Sequence, residues 1–113
     1  MAKVIITSSL EKAIHKRFRH DSIRIFKLML DLESFPKKGK VVGVVGGVVI
    51  KELKYNVYRF YFITDGYKVK FLRDDELSDL LIKFVRMSAK DDQKEVIAQI
   101  KQVLRSLGSE GFS

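Results

Sequence analysis

Arg59 stands in "VYRFYFI" (57–63), among six apolar or aromatic neighbours. An unpaired guanidinium inside a buried strand is among the costliest groups a fold can hold, so this arginine calls for a reason. Side chains alternate faces along a strand. That puts Tyr58, Phe60 and Phe62 on one side, and Val57, Arg59, Tyr61 and Ile63 on the other. In "YKVKFL" (67–72) Tyr67, Val69 and Phe71 share a face, with Lys68 and Lys70 opposite. If the aromatic set packs on helices, Arg59, Tyr61, Lys68 and Lys70 lie together on an exposed face. Cations interleaved with flat rings suit RNA, because phosphates attract the charges and unstacked bases stack on the rings. The plainer alternative is a half-exposed strand in which Arg59 pairs with a carboxylate across the sheet.

Other chemistry is thin. The chain has no cysteine, which excludes disulfides, thiolate-held zinc and thiol catalysis. The two histidines, His15 and His20, are five residues apart, so one helix would not aim both at a single ion. They read as surface residues. "ELK" (52–54) matches the Glu-x-Lys half of a magnesium nuclease signature, but only Asp31 and Glu33 closely precede it. The acidic "RDDELSD" (73–79) reads as a solvated loop or a frayed helical turn. No metal and no cofactor is expected.

Charge is more informative. The net charge is +8 over 113 residues, and residues 1–60 hold 13 Lys/Arg against 5 Asp/Glu while residues 61–113 hold 9 of each. The whole excess lies in the first half, densest at "HKRFRH" (15–20) and "KKGK" (37–40). Such asymmetry points to a polyanionic partner, with Lys37, Lys38 and Lys40 as phosphate contacts. High charge and few amides also resemble thermophile usage. The N-terminus lacks a basic segment followed by an apolar run, and "VVGVVGGVVI" (41–50) is too short and glycine-rich for a spanning helix. The expectation is one cytoplasmic domain, 1–113, with no membrane partner.

These residues need elements to hold them. "KVIIT" (3–7) reads as a strand, and "SSLE" (8–11) as a capping box opening a helix. "HDS" (20–22) can end that helix and cap a second, which Pro36 stops. Residues 40–54, valine-rich with glycines, read as a strand with a bulge or a close backbone approach. "NVYRFYFI", "TDG" and "YKVKFL" predict a hairpin about an Asp-Gly turn. "LLIKFVRM" (80–87) reads as the last strand. The closing helix is capped by Ser88, with Asp91 and Asp92 at its start, a stripe of Val96, Ile100, Val103 and Leu107, and Gly108 as its stop. The order β-α-α-β-β-β-β-α predicts an α+β domain, a helical hairpin and a C-terminal helix on a mainly antiparallel sheet.

"IKELKYNVYRFYFITDGYKVKFL" followed by "LIKFVRMSAKDDQKEVIAQIKQVL" resembles the RelE/ParE superfamily of small bacterial and archaeal toxins, particularly its RelE and HigB branches. Lys51-Glu52-Leu53, Tyr58-Arg59 and Phe84-Val85-Arg86 occupy the places of that family's Lys-x-Leu segment, Tyr-Arg strand and Phe-x-Lys/Arg strand end. The resemblance implies a microbial-RNase-like fold and cleavage of mRNA on the ribosome, blocked by a cognate antitoxin. RNA cleavage without a metal needs the 2′-hydroxyl deprotonated, the phosphorane's charge stabilised and the leaving oxygen protonated. By position, Lys51 or Lys54 is the base, Arg59 the phosphate stabiliser and Arg86 a second stabiliser or proton donor, with Lys90 adding a phosphate contact. The chain departs from the pattern in having no tyrosine in the last helix and no glycine after Leu53. Two alternatives stay open: a ParE-like chain acting on gyrase, and a non-catalytic nucleic-acid- or protein-binding module on the same fold.

Overall fold

A computed structural model describes all 113 residues. Strand β1 (Lys3–Ile6) runs into helix α1 (Ser8–Phe18), a single 3-10 turn (Arg19–Asp21) and helix α2 (Ser22–Leu30). Strands β2 (Lys40–Val45), β3 (Val48–Tyr55) and β4 (Tyr58–Asp65) follow as a meander. A short helix α3 (Gly66–Phe71) leads to β5 (Leu81–Ala89), and helix α4 (Gln93–Leu107) comes last. The five strands form one sheet in the order β1-β5-β4-β3-β2, with β1 parallel to β5 and every other pair antiparallel. The expected α+β class, a helical pair and a C-terminal helix on a mainly antiparallel sheet, is what the chain forms. No helix is long and apolar enough to cross a membrane.

Both faces of the sheet are covered. Leu10, Ile14, Ile25 and Met29 of α1 and α2 pack on Leu53, Phe60, Phe62, Ile82 and Phe84. On the other face Ile100 and Leu104 of α4, with Phe112, pack on Ile50, Tyr61, Ile63 and Val85. Strand β4 is therefore buried on both sides from Arg59 to Thr64, which explains why its sequence runs continuously apolar instead of alternating. The expectation of an exposed Arg59–Tyr61 face fails for this reason: α4 lies on it.

Several boundaries also move. Residues 40–54 are two strands, turned by Gly46-Gly47 with Gly46 at φ +58°. The next turn is Asn56-Val57, with Asn56 at φ +54°. Residues 67–71, expected as a strand, are helical. Asp65 does not turn a hairpin but caps α3, its side chain accepting from Lys68 N at 3.1 Å, while Gly66 N donates to Gly47 O at 2.8 Å. Lys68 and Lys70 thus leave the sheet altogether. Thr7 takes the capping role expected of Ser8, accepting from Leu10 N at 3.4 Å. Ser22 does not cap α2 but donates to Ile14 O at 3.2 Å, pinning the helical pair. Ser88 lies within β5, and α4 starts after a 3-10 turn (Lys90–Asp92). Gly108 does end α4, at φ +70°.

Because Asp65 holds a helix start, Asp65→Ala is expected to lower stability by about 1 kcal/mol and Asp65→Asn by much less. Thermal unfolding of the two variants checks this. Equal stability of the two variants would remove Asp65 from the capping role.

Candidate nucleic-acid interface

β2 begins at Lys40, opposite Glu52, so the last residues of β3 have no strand on that side. The chain reaches β2 through Gly39 at φ +104°, where a Cβ would meet Phe62 Cζ at 2.9 Å and Glu52 O at 3.2 Å. Only glycine lets the 37–39 segment come this close. The space left is an open groove of about 560 Å³, lined by Leu28, Lys38, Gly39, Lys40, Glu52, Leu53, Lys54, Arg59 and Gln93. Its walls carry four cations and one carboxylate.

Register sets the geometry. Lys54 lies directly across the ladder from Arg59, and Glu52 from Tyr61. Directly opposed residues share a face, so Glu52, Lys54, Arg59 and Tyr61 all belong to the α4 side. Arg59 is only 6% exposed. Its Nη1 donates to Tyr58 O at 3.0 Å and Asn56 O at 3.3 Å, and none of the five ion pairs in the structure includes it. The cross-sheet carboxylate pairing weighed from the sequence is absent. Beside it, Glu52 Oε2 is buried with no hydrogen-bond partner, the one such side-chain atom in the molecule. Tyr61 feels both: burial pushes its hydroxyl up, a bond to Ser88 opposes that, Glu52 adds to it and Arg59 opposes it.

The other expected site residues scatter. Lys51 is on the opposite face, where its Nζ donates to Lys37 O at 2.8 Å and sits 5.9 Å from the Phe62 ring centroid. A base working beside Arg59 cannot be Lys51. Tyr61 is wholly buried under α4, sharing a 2.8 Å hydrogen bond with Ser88, and has no face to offer a nucleobase. Arg86 donates to Val85 O at 2.7 Å and lies 5.0 Å from the Phe112 ring centroid, so it supports the C-terminal turn and does not line the groove. Lys68 reaches Asp79 at 3.4 Å and Lys70 stacks on Phe71, both on α3. Lys37 pairs loosely with Asp74 and Lys38 with Asp31, exposed contacts worth little in water. Lys90 is exposed in the turn before α4, its carbonyl accepting from Gln93 Nε2 at 2.9 Å.

Sequence reasoning missed Gln93 and Leu28 as groove walls. It also missed the join between the basic run at 15–20 and β4: Arg17 donates to Tyr58 Oη through Nη2 at 2.6 Å and Nε at 3.0 Å. His15 lies against Phe26 and does not meet His20 at any shared centre. Glu52 is the only carboxylate lining the groove, and nowhere do three or more His, Asp or Glu side chains gather as metal ligands. The Glu-x-Lys signature therefore has no companions here.

No family model matches this chain, and neither a curated protein nor a solved structure is similar to it at a significant level.

Burial lowers the Lys51 pKa, and this has a pH signature. Below the lowered value both folded and unfolded chains hold the proton, and folding bears the full desolvation cost. As pH rises toward the unfolded value of about 10.4 the folded lysine sheds its proton first and the cost fades. Wild-type stability is thus expected to gain on Lys51→Met as pH rises through the alkaline range toward about 10.4. Urea unfolding across that range checks it; a constant difference would mean Lys51 is not desolvated.

Proposed function

We propose that this chain is a RelE/HigB-like toxin, an endoribonuclease that cleaves mRNA on the ribosome without a metal ion and is restrained by a cognate antitoxin. Arg59 carries the reading. The guanidinium of a residue only 6% exposed, anchored on two main-chain carbonyls and free of any carboxylate, is a cation kept ready for an anion that the chain itself does not supply. A purely structural arginine this deep would be expected to have a carboxylate partner. The groove beside it adds Lys38, Lys40 and Lys54, which suits a phosphodiester backbone. A helical pair before the basic loop and a helix closing the chain agree with the resemblance, while the hairpin it also implies after the Tyr-Arg strand is replaced by α3.

The groove's side chains divide the chemistry. The Glu52 carboxylate, half-buried on the wall of the same groove, takes the 2′-hydroxyl proton as the 2′-oxygen attacks phosphorus. Arg59 holds the charge that grows on the non-bridging oxygens. As the bond from phosphorus to the 5′-oxygen breaks, the Lys54 ammonium gives that oxygen its proton. Lys38 and Lys40 hold neighbouring phosphates, and Gln93 is placed to orient the chain. A nucleic-acid-binding module that does not cleave is the second reading, favoured by Arg86 and Tyr61 lying outside the groove.

Arg59→Met, which keeps the length and removes the charge, is expected to fold with a melting temperature close to wild type or above it. It should cut single-turnover RNA cleavage by roughly a hundredfold or more, the usual loss when one preorganised stabiliser goes. Arg59→Lys should recover only part, since lysine offers no planar fork. Activity unchanged by EDTA is expected alongside; cleavage lost on chelation and restored by magnesium would overturn the metal-free mechanism. RNA bound tightly but never cut, in wild type as in variants, would leave the binding module.

Salt gives an independent check. Binding of a single-stranded RNA should weaken steeply as salt rises, and neutralising Lys38, Lys40 and Lys54 together should lower that slope by about two units. An unchanged slope would put the RNA elsewhere on the molecule.

A further inference from the structure

The sheet has two edges, and only one is closed. On β1 the outward Val4 N–H donates to Glu33 Oε2 at 3.1 Å and Ala2 N donates to Glu33 O at 3.2 Å, so the segment after α2 seals that side. On β2 no hydrogen bond reaches the side away from β3. Beyond Lys40 this strand is uncharged, "VVGVV". Natural edges are more often guarded by charge or proline, and here the only such device is an irregular register between Val41 and Gly43.

Beside this edge lies a second groove, of about 550 Å³. Its floor is Val41, Val44 and Val49, and its wall is α3 with Tyr67 and Phe71. The two aromatic rings lie with centroids 4.9 Å apart, tilted at 44°, and Gly66 bonded to Gly47 closes one end. Val41, Val44, Tyr67 and Phe71 are 54%, 60%, 66% and 61% exposed, four of the twelve large apolar side chains that the chain leaves in water. Scattered exposed apolar residues need no explanation, but a contiguous set beside free backbone groups marks a contact surface.

We propose that β2 and this groove receive an extended, acidic segment of a partner protein, which adds to the sheet as a sixth strand. Backbone pairing with β2 supplies affinity, and every second side chain of the segment enters the groove. Size and charge choose the occupant. A cavity of this volume takes a few side chains, whereas a stable pair of globular faces buries about 1,200–2,000 Å². A second copy would bring another +8 net charge against the first. No carboxylate lines the groove, its one charged residue is Lys70, and Lys40 stands at the start of the strand. Acidic residues flanking apolar ones fit that rim. The site stands on observations separate from Arg59 and holds whether or not the basic groove cleaves RNA.

The test uses the full chain and a displayed library of extended peptides of about ten residues, long enough to span one edge strand. Apolar residues fill alternate positions, and the intervening ones are acidic in one arm and basic in the other. The acidic arm is expected to enrich, and a selected peptide should slow amide exchange across residues 41–45. Val44→Lys and Phe71→Asp, both at exposed positions, should fold normally by circular dichroism and weaken that peptide by roughly tenfold or more. Enrichment of neither arm, equal enrichment of both, or protection that avoids β2 would overturn the proposal. So would a concentration-dependent dimer in sedimentation that Val44→Lys dissolves, since that makes the occupant a second copy.

Discussion

A strand with no wet face constrains everything else in this molecule. β4 is packed by α1 and α2 on one side and by α4 on the other, and six consecutive residues of it are buried. A charge on such a strand has only the strand's end to escape to. Arg59 is the second residue of β4, beside the turn at Asn56-Val57, and its guanidinium reaches back to the carbonyls of that turn. Those two bonds fix the head without neutralising it. Had the arginine stood two residues later, at Tyr61, it would have lain among Ile50, Val85 and Ile100, wholly buried under α4 and away from the groove. The hydrophobic sandwich thus confines the cation to a single rim, and the groove is at that rim.

The same constraint sorts the remaining polar groups. Lys51 points into the other layer, where a carbonyl of the 37–39 segment and the Phe62 ring receive its ammonium. It holds down the loop that carries Lys38 and Gly39, so its bearing on the groove is indirect. Tyr61 satisfies its hydroxyl with Ser88 inside the dry layer, as a buried tyrosine must. Glu52 alone is left with an oxygen that nothing in the chain satisfies. Buried polar atoms are nearly always paired in folded proteins. An unpartnered carboxylate oxygen and a carboxylate-free guanidinium in one groove, not joined to each other, form an arrangement that stability alone does not account for.

Much of the fold was legible. The helical pair, strands β1, β4 and β5, and the C-terminal helix with its glycine stop all follow from periodicity and punctuation, whereas β2 and β3 were read as one strand and the Gly46-Gly47 turn as a bulge or close approach. The misread segment, 67–71, is five residues of mixed apolar and basic character, too short for period to separate strand from helix. Asp65 decided it through a capping bond that an Asp-Gly pair does not advertise. The site was half legible. Arg59, Lys54, Lys38 and Lys40 were identified as cations on strands or loops, but which of them meet depends on register. Lys51 and Lys54 are three apart on one strand and so face opposite ways, a distinction that two open assignments for the base left unresolved. The covering of the Tyr61 face by α4 was not readable at all, because a helix stripe declares that it packs without declaring on what.

Strand β2 links the two candidate surfaces. At its Lys40 end it forms a wall of the cationic groove, and along Val41 and Val44 it forms the floor of the apolar one. Both depend on its pairing with β3, whose Lys51 braces the segment leading into β2 from below. Edge strands are the least supported elements of a sheet, with hydrogen bonds on one side only, and they open locally at lower free energy than central strands. Any chain that pairs with the free side of β2 would hold it in place and with it Lys40 and Gly39, which stands against Phe62 and the Glu52 carbonyl. A chain seated in the apolar groove would therefore meet the surroundings of Glu52 and Arg59 only through the one strand that the two grooves share, without touching either residue.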